Sequence, residues 1–128
     1  MEQNADLLFF FAKKPNALPL YEAFAQRVLA QVGAADIRVQ KTQISFANRH
    51  NFAFASLLPV RKAAQRPDPY LTITFGLERR VDSPRIDAAV EPYPRRWTHH
   101  VMIGVAEEID PELLGWIQEA YDFSACKR

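Results

Sequence analysis

Three short runs of alternating apolar and polar residues, Asp36 to Gln40, Thr42 to Ala47 and Asn51 to Leu58, follow one another almost end to end. Alternation with a period of two marks a half-buried strand, and connections this short permit only antiparallel hairpins. Ile37 and Val39 share a face in the first run, Ile44 and Phe46 in the second, Phe52 and Phe54 in the third. Asn48-Arg49-His50-Asn51 supplies a hairpin loop, since Asn tolerates the left-handed conformations that tight turns need. A fourth run, Tyr70 to Phe75, aligns Leu71, Ile73 and Phe75 and stops at Gly76; a fifth spans about Trp97 to Val105. In the fifth, Val101, Ile103 and Val105 face the core. Trp97 and His99 therefore start on the core side, and Thr98 and His100 on the other.

Helical signals bracket these runs. Leu7 to Ala12 brings Phe9, Phe10 and Phe11 to the core as a short helix or an opening strand, between which the period does not decide. Pro19 suits the first turn of a helix running to about Val32. Leu20, Phe24, Val28 and Val32 form its buried stripe, and Gly33 is its stop. Asp110-Pro111 caps a last helix with Leu113, Leu114, Ile117, Ala120 and Tyr121 on one face. The connection between the last two strands holds a short helical turn at Ser83 to Ala89, with Ser83 as cap and Pro84 in the first turn.

The expected fold is a single α+β domain over residues 1–128: an antiparallel, mainly meandering five-stranded sheet with the N- and C-terminal helices on one face. The uncovered face would show Arg38, Gln40, Gln43, Ser45, Ala53, Ala55, Thr72, Thr74 and His100. A chain of 128 residues buries roughly two thirds of its unfolded surface in one core.

The net charge of +1 gives no global pull toward nucleic acid or an anionic membrane. Its distribution is uneven. Residues 37–67 contain Arg38, Lys41, Arg49, Arg61, Lys62 and Arg66 and no acid, whereas residues 97–126 carry six acids and no Lys or Arg. The only cysteine, Cys126, permits no intramolecular disulfide and fits a reducing cytoplasm. Leu7 to Ala12 is too short to span a membrane, and no membrane partner is expected.

Catalytic signatures are weak. His99 and His100 are strand neighbours that point to opposite faces, and His50 completes no ligand set, so neither a metal nor another cofactor is expected. Ser45 and Ser83 lie in no nucleophile elbow, and the four glycines never cluster into a phosphate loop. The chain reads as a binding module rather than an enzyme.

Anion recognition remains. Arginine's planar fork bonds two oxygens of a phosphate or carboxylate and also stacks on rings. The stretch Tyr70 to His100 holds Arg79, Arg80, Arg85 and Arg96 beside Tyr93 and Trp97. The expected site has Gln43, Ser45, Thr72 and Thr74 as floor and His100 at its centre. Arg49, His50, Arg79, Arg80, Arg85, Tyr93 and Arg96 form its border. Its partner would be an anionic small molecule, nucleotide or nucleic acid, bound more tightly below about pH 6.5, where a free imidazole gains charge. The same arginines could instead pair locally, Arg79 with Asp82 and Arg85 with Asp87 or Glu91. A rival reading makes the open face a homodimer surface, with Ser45, Ala53, Ala55 and Thr74 small enough to let two sheets approach.

The motifs Lys41-Thr42-Gln43-Ile44-Ser45-Phe46, Thr74-Phe75-Gly76-Leu77, Asp82-Ser83-Pro84-Arg85-Ile86, Glu91-Pro92-Tyr93-Pro94-x-Arg96-Trp97-Thr98-His99-His100 and Gly115-Trp116-Ile117-x-Glu119-Ala120-Tyr121-Asp122-Phe123 span nearly the whole chain. Together they resemble an uncharacterised bacterial family of small stand-alone domains, similar to "predicted transport protein" domains and to the MmcQ/YjbR-like α+β group. The resemblance implies the same helix–sheet–helix fold and brings no catalytic residues with it.

Overall fold

The structure, a computed structural model, describes residues 2–126. Helices α1 (Glu2–Phe10) and α2 (Leu18–Val32) lead into strands β1 (Asp36–Val39), β2 (Ile44–Ala47), β3 (Asn51–Ser56), β4 (Leu71–Leu77), β5 (Ala88–Tyr93) and β6 (Arg96–Ile103); helix α3 (Pro111–Cys126) closes the order. The α+β class holds, with six strands in place of the expected five. All pairs are antiparallel, in the order β1-β2-β3-β4-β6-β5.

The additional strand is β5, where a helical turn was expected. Only Pro84 and Arg85 turn; the chain then pairs along the outer edge of β6. Asp87 starts that pairing by donating its N–H to the His100 carbonyl (2.8 Å), while its carboxylate accepts the Met102 N–H (2.8 Å). Those contacts satisfy an edge of β6 that a helical turn would have left without partners.

Cap chemistry places the helix ends where the sequence predicts. Gly33 closes α2 at φ 91°, a left-handed backbone that a side chain would strain. The Asp110 carboxylate accepts the Leu113 N–H (3.0 Å) and opens α3. Residues 2–10 resolve as a helix; Phe11 is buried and Phe10 partly so, but Phe9 points to solvent rather than into the core.

The register defines two faces. One transverse row, Ile37, Phe46, Ala53, Phe75, His99 and Ala89, lies under the helices. Phe24 of α2 meets Phe46 edge-on at 5.5 Å, and Trp116 of α3 stacks on Phe75 at 5.8 Å, so both long helices cover this face. The adjacent row, Arg38, Ser45, Phe54, Thr74, His100 and Ala88, points the other way. Val105, expected to face the core, lies beyond the end of β6 and is exposed.

Two expectations for β3 are reversed. Phe52 and Phe54 do not share a face, and Ala53 and Ala55 face the helices, fully buried. A β-bulge between Phe46 and Ala47 is the cause: Phe46 pairs with Ala53 and Ala47 with Asn51, leaving Phe52 as an extra residue. The bulge directs Phe52 inward against Phe46 (6.5 Å) and Tyr121 (5.2 Å), and alternation then turns Phe54 outward. The alanines also leave room for α3, which lies over β3 and β4.

Candidate functional site

The uncovered face is divided. The segment 57–70 straps over its β3–β4–β6 end: the Tyr70 hydroxyl donates to the Leu57 carbonyl (2.6 Å) and the Thr72 hydroxyl to the Leu58 carbonyl. Arg61 anchors the strap, with Nε donating to Asp87 (2.8 Å) and a terminal nitrogen to the Met102 carbonyl (3.1 Å). Gly104 lets it approach, since a Cβ there would stand 2.5 Å from Pro67. Thr72 and Met102 are consequently buried, and Thr72 is no part of an open floor.

Beyond the strap the face forms a groove of about 740 Å³. Ser45, Ala47, Phe54, Thr74, Gly76 and Thr98 line its floor, with Asp36, Arg38, Arg49, His50 and Arg96 around it. Of the expected residues it thus gathers Ser45, Arg49, His50, Thr74 and Arg96. Gln43 sits at the β1–β2 turn, its amide donating to Gln40 (3.4 Å). His100 lies just outside the lining, its Nδ1 2.8 Å from the Thr74 hydroxyl.

The remaining arginines of the Arg-rich connection turn toward the helix side. Arg79 makes two bonds to the Glu119 carboxylate (2.9 and 2.8 Å), which lower the carboxyl's pKa. Arg85 donates to Asp110 (2.8 Å), Glu112 (3.0 Å) and the Glu108 carbonyl (2.7 Å). Arg80 lies over the Trp97 ring at 5.7 Å, and Tyr93 is exposed on β5 next to the β5–β6 turn. These four do not reach the groove. Acids in and just before α3 hold Arg79 and Arg85 in ion pairs, in place of the local partners Asp82 and Glu91 considered from sequence; Asp87 is taken by Arg61.

Arg49 and His50 are held at the rim by α3. The Asn48 side-chain oxygen accepts the Arg49 N–H (2.6 Å), the His50 N–H (3.3 Å) and the Ser124 hydroxyl (2.9 Å), while its amide donates to the Tyr121 carbonyl (2.9 Å). Asn48→Ala is expected to cost about 1–2 kcal/mol and to speed amide exchange at residues 48–51. Denaturant unfolding with hydrogen exchange checks this, and unaltered exchange in the turn would refute it. Arg96 lies over the Phe123 ring at 5.7 Å.

Electrostatically the rim holds three guanidinium groups against one carboxylate. Asp36 pairs with Arg38 at 3.1 Å, but with side chains 58% and 74% exposed the pair is screened and leaves Arg38 available to a ligand. His100 has its pKa lowered, chiefly by desolvation, with the Asp87 charge opposing. Any contribution of its charge to anion binding therefore begins below pH 6.5, rather than near it as a free imidazole would give. His99 is fully buried, its Nε2 accepting the Val81 N–H (2.9 Å) and its ring stacked on Phe75 at 5.1 Å. Its Nδ1 has no hydrogen-bond partner, and desolvation lowers its pKa, so it is a neutral core histidine.

Among the described residues, no three His, Cys, Asp or Glu side chains come together as a metal-binding group. None of their helices is long and apolar enough to cross a membrane. Sequence reasoning missed Asp36, Ala47, Asn48, Phe54 and Gly76 as groove residues, and it read Arg38 and Thr98 as open-face residues without placing them in the site; for Phe54, the four-residue hairpin loop ahead of a Phe-Ala-Phe-Ala run was the available hint of a shifted register.

Fold and groove together define a single-sheet α+β domain with helices on one face and a basic recess on the other. Residues 9–124 match the model of a domain of unknown function, DUF5655, and the chain belongs to that family. Searches of curated proteins and of solved structures returned no match.

Proposed function

We propose that the protein is a binding module, not an enzyme, that seats a small anionic ligand in the groove on the helix-free face. The observation that carries this is the convergence of Arg38 from β1, Arg49 from the β2–β3 turn and Arg96 from β6 around a floor of small residues and one phenylalanine, Phe54. Guanidinium groups from three elements match phosphate or carboxylate oxygens, and the partly exposed Thr98 hydroxyl adds a neutral donor. The lone Cys126 suits a cytoplasmic setting for such a module. Pairing of two copies through this face loses part of its basis, because Ala53 and Ala55 face the helices.

Gly76 provides the test. Its Cβ position opens toward the groove and would meet only the Trp97 carbonyl, at 3.9 Å. Gly76→Leu should therefore fill the recess without disturbing the fold, and replacing a strand glycine tends to stabilise. Calorimetric titration with pyrophosphate is expected to show at least a tenfold loss of affinity in Gly76→Leu, with an unchanged or raised melting temperature. Arg49→Ala and Arg96→Ala should each lose about 1–3 kcal/mol of binding. Pyrophosphate, inorganic phosphate and citrate all failing to bind the parent protein would overturn the proposal, as would wild-type affinity in Gly76→Leu.

A further inference from the structure

The groove contains one residue that an anion alone does not use. Phe54 points out of the helix-free face, half-buried, at the middle of the row Arg38, Ser45, Phe54, Thr74, His100. Its cross-strand neighbours are Ser45 and Thr74, and toward the open end the floor falls to Ala47 and Gly76. Its neighbours on those sides are small, so the phenyl group is the one large apolar side chain of the floor. A phenyl group makes no hydrogen bond to phosphate or carboxylate; it contributes only to a ligand with a flat ring of its own.

We infer that the ligand is a nucleobase joined to a phosphate, with the base against Phe54 and the phosphate among the rim arginines. This rests on the anion-binding reading above and narrows it. Arg38 lies two strands from Phe54 in the same row, roughly 10 Å away by strand spacing, so a long guanidinium side chain reaches back toward a group attached to a stacked base. The partly exposed Thr74 and Thr98 line the same floor, and their hydroxyls suit the polar edge of a base. The groove volume of about 740 Å³ falls within the usual range for small-molecule sites. Such chemistry comes either from a free nucleotide or from a single strand, and both stack a base on an aromatic residue.

Calorimetry with AMP, UMP, adenosine and ribose 5-phosphate separates the parts. AMP and UMP are expected to bind at least about tenfold more tightly than ribose 5-phosphate, the scale of one base–aromatic stack. In Phe54→Ala that advantage should vanish while ribose 5-phosphate binds as before. Phe54→Leu, which keeps the apolar bulk and guards against a fold defect, should lose most of it too. Equal affinity for AMP and ribose 5-phosphate in the parent protein overturns the inference and leaves anion binding standing; no binding of either removes both. A pentathymidylate bound more tightly than thymidine monophosphate assigns the site to a single strand, and the reverse order assigns it to a free nucleotide, each with the base on Phe54.

Discussion

Replacing His99 with alanine is expected to destabilise the protein by about 2–4 kcal/mol, measured as a lowered denaturant midpoint. The substitution leaves a buried Val81 N–H without an acceptor, worth about 1–3 kcal/mol. It also removes a ring stacked on Phe75, worth roughly another 0.5–1.5 kcal/mol. The same residue links stability to pH. Burial holds the folded imidazole below its free value, so the unfolded chain binds more protons as pH drops. The stability that His99 confers is complete above about pH 6.5 and falls as pH decreases from there toward the depressed folded value. His100 acts in the same direction. A His99→Ala protein should therefore be less stable at neutral pH and show a shallower loss between pH 6.5 and 5. A parallel pH profile in parent and variant would show that His99 is not the titrating group.

Asp87→Ala should cost about 2–3 kcal/mol and loosen the strap. The carboxylate is only 14% exposed and bonds both Arg61 and the Met102 N–H, so its loss strands a half-buried guanidinium and a strand donor. Full burial would raise the penalty to about 3–5 kcal/mol, and the 30% exposure of Arg61 argues for the lower figure. Hydrogen exchange should accelerate across residues 57–70 and at Thr72, with little change in α2. Trypsin should then cut after Arg61 or Lys62 faster than in the parent protein. A uniform increase in exchange over the whole chain would instead make Asp87 a global stabiliser with no special hold on the strap.

Much of the architecture was legible because each signal had one physical meaning. Gly33, Pro19 and Asp110-Pro111 mark helix ends through backbone geometry and capping, which owe little to tertiary context. The Asn48–Asn51 turn was readable for the same reason. What was not legible depended on neighbours. Phe52-Ala53-Phe54-Ala55 is apolar at every position, so alternation there cannot say which pair faces the core. β5 carries Pro92 and a mixed pattern, and it becomes a strand because β6 offers an unpaired edge. Arg79 and Arg85 looked like ligand-binding groups because the acids that claim them lie 25 to 40 residues further on, in α3 and just before it. Arg49 and Arg96 border the groove although α3 reaches both, holding the turn of Arg49 through Asn48 and setting the Phe123 ring beside the Arg96 guanidinium, because the residues it presents there are not acids.

The bulge in β3 has a consequence for reading other members of the family. It acts as a one-residue frameshift in the inside–outside parity of a strand, written at Phe52 and felt at every position up to Ser56. Deleting the extra residue would leave the position of Phe54 opposite that of Ser45 on the open face, but a member of the same length that pairs this hairpin without the bulge would set it opposite the position of Ile44, in the core. Its groove would then be floored by small side chains alone. The presence of the bulge, rather than the length of the turn, thus decides whether a relative presents a ring to its ligand or only hydroxyls and charge.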